Sequence, residues 1–175
     1  MAKKKSETIT ENLFRSFYGT TTFVEKTAIS PSCGFTSKKG TSYAGYPDFF
    51  REEEDFCIVV EAKATDHEAA KEEVLHYAIH NKLSKDIVAI AVSGQSTDSL
   101  NVTYFLKQKG KSEIATFPPT DILLSILSIR KQYAKTKYGE SVTTEALITV
   151  LKDLNKRFND KTKSETQTEV CSFRG

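Results

Sequence analysis

Cysteine is scarce in this chain of 175 residues, which contains only Cys33, Cys57 and Cys171. None of them forms a CxxC pair and three cannot all pair with one another, so the sequence indicates neither a zinc site nor a disulfide framework. We therefore expect a protein of the reducing cytoplasm. The chain also lacks any apolar run near the roughly 20 residues of a membrane span, and its first residues lack a signal-peptide core.

A strong charge of one sign is missing as well. The formal net charge is +2, which is too small to indicate a nucleic-acid partner by itself. There is neither a glycine-rich phosphate loop nor a nucleophile elbow, which argues against nucleotide kinases and serine hydrolases. With 38% hydrophobic and 27% charged residues, the composition is that of an ordinary globular domain.

A hydrophobic strand that ends in two charges is the most informative stretch of the sequence. In CIVVEAKAT, residues 57 to 65, side chains alternate between the two faces, so Glu61 and Lys63 point the same way. A half-buried charge costs several kcal/mol unless it has a partner or a task. The two charges indicate either an exposed strand end with an ion pair or a functional site.

The preceding stretch, GYPDFFREEED, supplies a third charged residue. Residues 47 to 51 read as a short strand and residues 52 to 55 as a hairpin turn, which places Asp48 opposite residues 60 to 62. Two carboxylates that face each other across a ladder repel unless a cation lies between them. Because Mg²⁺ binds through one or two carboxylates and several waters, the hairpin predicts a magnesium site.

The pattern of Pro47-Asp48, twelve further residues and then Glu61-Ala62-Lys63 resembles the signature of the PD-(D/E)xK nuclease superfamily. The resemblance implies an α/β fold with a restriction-endonuclease-like core, in which helices flank a mixed central β-sheet. It also implies that Asp48, Glu61 and the carbonyl of Ala62 hold Mg²⁺, for which Mn²⁺ can substitute. Lys63 would then orient or deprotonate the attacking water, and its pKa should fall beside the metal.

The helix after this motif resembles that of a subgroup of the superfamily. In RecB-like nucleases and type I restriction subunits this helix carries QxxxY, whereas here the stretch is EVLHY, with Glu73 at the glutamine position and Tyr77 matching. Tyr77 is therefore a catalytic candidate, and an ordinary core aromatic is the alternative. An acid on the first helix commonly completes the site in this family, and Glu11 is our candidate, with Glu7 as the alternative.

The resemblance extends over residues 40 to 160, where the stretches NVTYFLKQKG and LKDLNKRFND look like the nuclease region of fused restriction-modification enzymes. In those enzymes an N6-adenine methyltransferase follows. We therefore expect a Mg²⁺-dependent DNA endonuclease, the cleavage module of a restriction-modification enzyme. Its expected partners are double-stranded DNA, a methyltransferase or motor portion of a longer polypeptide, and a second copy in a transient dimer that cuts both strands.

Two lysines are candidates for contacting DNA. Lys38 and Lys39 lie in residues 30 to 45, which are rich in Ser, Thr, Gly and Lys and read as a loop.

Two alternatives to a nuclease stay open. One is a catalytically silent nuclease-fold module that binds DNA or a partner protein, and the other is a small metal-dependent α/β hydrolase with a non-nucleic substrate.

The remaining pattern predicts the other elements and the domain limits. Thr65 and Glu68 form a capping box that predicts a helix over residues 66 to 82. We expect a nuclease domain over residues 1 to 135 and a helical extension or linker over 136 to 175, whose polar end suggests a fragment of a longer polypeptide. Further predicted elements are helices at 7–18, from 120 onwards and at 143–158, and strands at 23–29, 87–92, 101–107 and 113–117.

Overall fold

A six-stranded β-sheet forms the centre of the fold. The computed structural model describes residues 6 to 139, 148 to 157 and 159. The chain divides into two units, Met1–Thr136 and Lys137–Gly175. The elements are α1 (Glu7–Tyr18), β1 (Val24–Glu25), β2 (Thr36–Ser37), β3 (Gly40–Ala44), β4 (Phe49–Glu52), β5 (Phe56–Lys63), α2 (His67–Ile79), β6 (Asp86–Ser93), β7 (Asn101–Lys107), β8 (Ile114–Thr116) and α3 (Ile126–Tyr138).

The large sheet is mixed, with the strand order β1-β4-β5-β6-β7-β8, while β2 and β3 form a separate hairpin. The β5–β6 pair is parallel, and the other neighbouring pairs are antiparallel. Both central strands are buried along nearly their whole length, which explains why they read as continuous hydrophobic runs. The predicted α/β class with a mixed sheet flanked by helices is therefore confirmed.

Helices pack on both faces of this sheet and form two hydrophobic cores. On one face, Ile58 and Val60 of β5 share a core with Phe14 of α1 and Tyr133 of α3. On the other face, alternate residues of β5 such as Val59 pack with α2, which buries Ala70, Val74, Tyr77 and Ala78. The same alternation directs Glu61 and Lys63 towards α2.

Several predicted elements are confirmed and others are shorter than expected. Helix α1 covers the predicted residues 7 to 18, and β7 covers residues 101 to 107. The first strand was expected over 23 to 29 but spans only Val24–Glu25, and a 3₁₀ turn follows at Lys26–Ala28. The predicted loop at 30 to 45 is wrong in part, because it contains a second 3₁₀ turn and the β2–β3 hairpin.

Two helix starts differ from the prediction for identifiable reasons. The N-cap of α2 is Asp66 rather than Thr65, and its carboxylate accepts a hydrogen bond from the amide of Ala69 at 3.0 Å. The helix expected from residue 120 begins only at Ile126. Before it, the hydroxyl of Tyr104 receives a hydrogen bond from the amide of Leu124 and donates one to the carbonyl of Ile122, so these backbone groups are bonded outside a helix.

The second unit contains a helical stretch from 148 to 157, inside the helix predicted at 143 to 158. Leu151 and Leu154 of its predicted apolar stripe are exposed, and Leu147 and Phe158 lie outside the described residues. Cys33 and Cys57 are buried free thiols, while Cys171 also lies outside the described residues. In the part of the chain that the structure describes, no helix has the length and apolarity needed to cross a membrane.

A buried carboxylate ties α3 to the β4–β5 turn. Glu53 is 8% exposed and accepts hydrogen bonds from Arg51 and, at 2.7 Å, from Nε of Arg130. Burial would raise the pKa of Glu53, but the two guanidinium groups lower it below the usual value. Because a buried charge is costly without partners, this cluster links the hairpin that carries Asp48 to the helix beneath it.

We expect Arg130→Met to lower the free energy of unfolding by about 1 to 3 kcal/mol, because Glu53 then keeps only one charged partner. Urea denaturation at pH 7 measures the change. The matched control is Lys131→Met at the next, exposed position, which should lie close to wild type. Because the folded-state pKa of Glu53 is lowered, the difference should shrink as the pH falls below the usual glutamate pKa and should be lost once folded Glu53 is also protonated, at a lower pH. An equal loss of free energy of unfolding in Arg130→Met and Lys131→Met would contradict the role of Arg130 as a partner of Glu53.

Candidate active site

The β4–β5 hairpin places Asp48 beside the end of β5. Phe49 pairs with Val60, and the amide of Asp48 donates to the carbonyl of Val60 at 3.0 Å. The amide of Ala62 in turn donates to Oδ2 of Asp48 at 2.9 Å. The register therefore confirms the prediction that Asp48 lies opposite residues 60 to 62.

Glu61 is the most buried charged group of this region, with 2% of its surface exposed. Its Oε1 lies 3.1 Å from Nζ of Lys63, whereas its buried Oε2 has no hydrogen-bond partner among the described residues. Burial, the charge of Asp48 and a side-chain hydrogen bond to Glu73 together raise the pKa of Glu61 to about 9, although Lys63 acts in the opposite direction. The site therefore holds a carboxyl group that prefers to be neutral unless positive charge is added nearby.

Lys63 points into a cluster of three carboxylates. Its Nζ lies 2.8 Å from Oε2 of Glu73, 3.1 Å from Oε1 of Glu61 and 3.5 Å from Oε1 of Glu7. Burial would lower the pKa of Lys63, but the hydrogen bonds and charges of Glu73 and Glu61 raise it above its usual value. These carboxylates stabilise the ammonium of the metal-free site, whereas the predicted fall in the pKa of Lys63 concerns the site with a metal bound.

The acid that α1 contributes is Glu7 and not our first candidate. Glu11 forms an i,i+4 ion pair with Arg15 at 3.2 Å, whereas Glu7 reaches Lys63. Helix α1 is fixed here by Thr10, whose hydroxyl contacts the carbonyls of Lys63 at 3.0 Å and of Gly94 at 2.7 Å. Glu7 stands one turn before Thr10, which places it on the same helix face.

Helix α2 contributes Glu73 and Tyr77 to this region. Glu73 gives Lys63 its shortest ion pair, which the sequence had not predicted for a residue that departs from the QxxxY pattern. Tyr77 is buried and packs edge-to-face against Phe35. Burial raises the pKa of Tyr77, and the charges of Glu61 and Glu73 raise it further. Tyr77 thus packs in the core and lies within the electrostatic reach of the site.

The lysines proposed to contact DNA lie at the turn of the β2–β3 hairpin. Both are exposed, and Lys38 forms an ion pair with Glu72 of α2 at 3.1 Å. A further lysine was missed, because Nζ of Lys26 lies 3.4 Å from Oδ1 of Asp48. The amide of Lys26 also donates to the carbonyl of Asp48, a strand contact that sequence spacing does not reveal.

The donor groups are suited to a hard divalent cation. Among the described residues, no three or more His, Cys, Asp or Glu side chains are arranged as a metal-binding group. Mg²⁺, however, commonly uses only one or two protein carboxylates and completes its shell with water. The unpartnered Oε2 of Glu61 and the carboxylate of Asp48, whose side chain is 11% exposed, provide those two.

No protein-family model matches the chain, and neither a curated protein nor a solved structure matches it.

We expect Glu61→Gln to be more stable than the wild-type protein at pH 8 in EDTA, by about 1 to 3 kcal/mol. At pH 5 the buried carboxyl group is neutral, like the amide, and the two proteins should unfold at similar urea concentrations. Above a pH of about 4.5 the carboxyl group of the unfolded chain is ionised, while the buried one keeps its proton up to about pH 9, so wild-type stability falls as the pH rises between these values.

The control for this comparison is Glu68→Gln, on the exposed part of α2. This variant should not gain stability with rising pH, because the side chain of Glu68 is largely in solvent. If the free energies of unfolding of wild type and Glu61→Gln changed in parallel with pH, the prediction would be wrong, because ionising Glu61 would not destabilise the folded protein.

Proposed function

We propose that the chain is a Mg²⁺-dependent DNA endonuclease domain of the PD-(D/E)xK type, with a restriction-endonuclease-like core, that hydrolyses phosphodiester bonds. The observation that carries the proposal is the convergence of Asp48, Glu61 and Lys63 on one side of the β4–β5 hairpin, where a buried carboxylate oxygen of Glu61 has no hydrogen-bond donor in the described part of the chain. Removing such an oxygen from water is costly, and a cation offsets that cost.

Asp48, Glu61 and the carbonyl oxygen of Ala62 would hold the cation. When bound, Mg²⁺ or Mn²⁺ would lower the pKa of a water molecule and offset the negative charge of the phosphate. The hydrogen bond from the Ala62 amide keeps the carboxylate of Asp48 at the end of β5, which fixes one donor relative to the other. This preorganisation is what a cation site on rigid strands requires.

Lys63 acts as a charged donor in this proposal rather than as a general base. Its ammonium is kept protonated by Glu73 and Glu61, so it can donate hydrogen bonds to a phosphate oxygen or to the attacking water. Glu7 lies 3.5 Å from Lys63, and its side chain is 56% exposed, so it remains open to solvent beside the site.

Substrate contacts come from the lysines around the site. Lys38 and Lys39 are exposed on the hairpin turn, and the contact between Lys38 and Glu72 places them on the α2 side of the sheet, which is also the side of Glu61. Lysines on such a surface hold the phosphate backbone of double-stranded DNA without reading its sequence. Lys26, next to Asp48, adds positive charge on the β1 side.

The wider role follows from the sequence resemblance and not from the site. We propose that the domain is the cleavage module of a restriction-modification enzyme in the cytoplasm. A methyltransferase or motor portion would supply recognition, and a transient dimer would cut both strands.

Plasmid DNA should be nicked or cut in the presence of Mg²⁺ or Mn²⁺, and EDTA should stop the reaction. We expect Asp48→Ala and Lys63→Ala each to lower the rate at least about 100-fold, because each removes a group that acts on the reacting phosphate. Asp98→Ala and Lys71→Ala, at positions outside the site, are the matched controls. Circular dichroism checks that all four variants fold.

Retained DNA binding without cleavage, under every metal and DNA condition, would support a catalytically silent module in place of a nuclease. Cleavage that survives both Asp48→Ala and Lys63→Ala would overturn the site assignment.

The double variant Lys38→Ala/Lys39→Ala should bind DNA about 3- to 30-fold more weakly and reduce the slope of log affinity against log salt by about 2. Its kcat should stay near wild type, because neither lysine touches the reacting atoms. Lys109→Ala/Lys111→Ala is the control, since these residues follow the end of β7 that lies beside the start of β6, away from Lys63. Equal salt slopes in both double variants would remove the hairpin from the DNA surface.

A further inference from the structure

Lys63 has two strong carboxylate partners that belong to different elements. Glu61 is two residues away on the same strand, and Glu73 lies on α2. The contact with Glu73, at 2.8 Å, is shorter than the contact with Glu61, at 3.1 Å. The ammonium therefore does not depend on its strand neighbour alone.

The two carboxylates that bind Lys63 differ in their other proposed roles and in their exposure. Glu61 is the buried carboxylate that the proposed function assigns to a cation, and a cation on Glu61 repels an ammonium bound to the same group. Glu73 is more accessible, with 29% of its side chain exposed, and it has no such assignment. An ammonium that loses Glu61 to a cation therefore still has an acceptor within hydrogen-bond distance.

The backbone of Glu73 is positioned by the packing of α2. The helix is anchored on the sheet by Ala70, Val74 and Tyr77, which are buried on either side of Glu73 in the sequence. The Glu73 carboxylate also has a side-chain hydrogen bond with Glu61, but the packing of α2 keeps it within reach of Lys63 when that bond is lost.

We propose that Glu73 is the positioning residue for Lys63, and that it holds the ammonium at the site without help from Glu61. The catalytic value of this contact rests on the proposed nuclease function, whereas the contact itself can be tested without metal or DNA. In this arrangement Glu61 is released to bind a cation while Lys63 stays beside it.

The first experiment measures how fast an amine-reactive reagent modifies Lys63, by peptide mass spectrometry in EDTA. The proteins are wild type, Glu61→Leu, Glu73→Ala, the double variant of these two, and Glu72→Ala as the control at the neighbouring, exposed position of α2. Leucine at 61 removes the acceptor and roughly keeps the buried volume. Circular dichroism checks folding, and Glu61→Met, which also lacks a carboxylate or amide acceptor, replaces Glu61→Leu if leucine prevents folding.

We expect Lys63 to remain protected in Glu61→Leu and to react about ten-fold faster in Glu73→Ala, because the shorter charged hydrogen bond is then lost. The double variant should react fastest, and Glu72→Ala should match wild type. The proposal is overturned if Glu61→Leu exposes Lys63 as fully as the double variant does. It is also overturned if Glu73→Ala is indistinguishable from Glu72→Ala.

The second experiment compares plasmid cleavage by Glu73→Ala and Glu73→Gln in Mn²⁺. A positioning role predicts that Glu73→Ala lowers kcat about 10- to 100-fold with KM nearly unchanged. Glu73→Gln should restore most of kcat, because its amide oxygen can accept the same hydrogen bond. A full wild-type kcat in Glu73→Ala would overturn the positioning role.

The two proposals fail separately. A wild-type protein that never cleaves DNA refutes the nuclease assignment, while the modification rates still decide whether Glu73 holds Lys63.

Discussion

The burial of the Glu61 carboxylate is the constraint on which the rest of the site depends. A carboxylate this deep in a sheet must be neutral, paired or bound to a cation, and among the described residues only one of its oxygens has a hydrogen-bond donor. The strand that carries Glu61 is otherwise apolar and covered on both sides. The polar and charged partners of the carboxylate must therefore come from the neighbouring hairpin and helices. Asp48 and Lys63 lie beside it, and Glu73 and Glu7 surround Lys63 in turn.

This constraint explains why the site combines carboxylates that the backbone holds in place with longer side chains that can change partners. Glu61 stands on β5, and Asp48 directly precedes β4 and is bonded through its amide to the carbonyl of Val60, so backbone hydrogen bonds fix their register. Lys63, Glu7 and Glu73 have longer side chains, and they can exchange partners without moving the sheet. Charge can then be rearranged around a fixed pair of carboxylates, as the proposed function requires.

The sequence was sufficient for the contacts that depend on local geometry. A short turn and two-residue alternation set which residues face each other, so Asp48 and Glu61 could be matched from spacing alone. The roles of Glu73 and Lys26 could not be assigned, and Glu7 could be named only as the alternative to Glu11, because their contacts depend on how α1, α2 and β1 lie on the sheet. The late start of α3 had the same cause, since Tyr104 bonds backbone groups that a helix would otherwise use.

The hydroxyl of Thr10 gives the first helix a mechanical link to the site. It contacts the carbonyl of Lys63 and the carbonyl of Gly94, so α1 is joined at one point to the ends of both central strands. A tilt of α1 would displace the backbone of Lys63 and would move Glu7 at the same time. A partner that binds the exposed surface of α1 would therefore change the distance between the Glu7 carboxylate and the Lys63 ammonium.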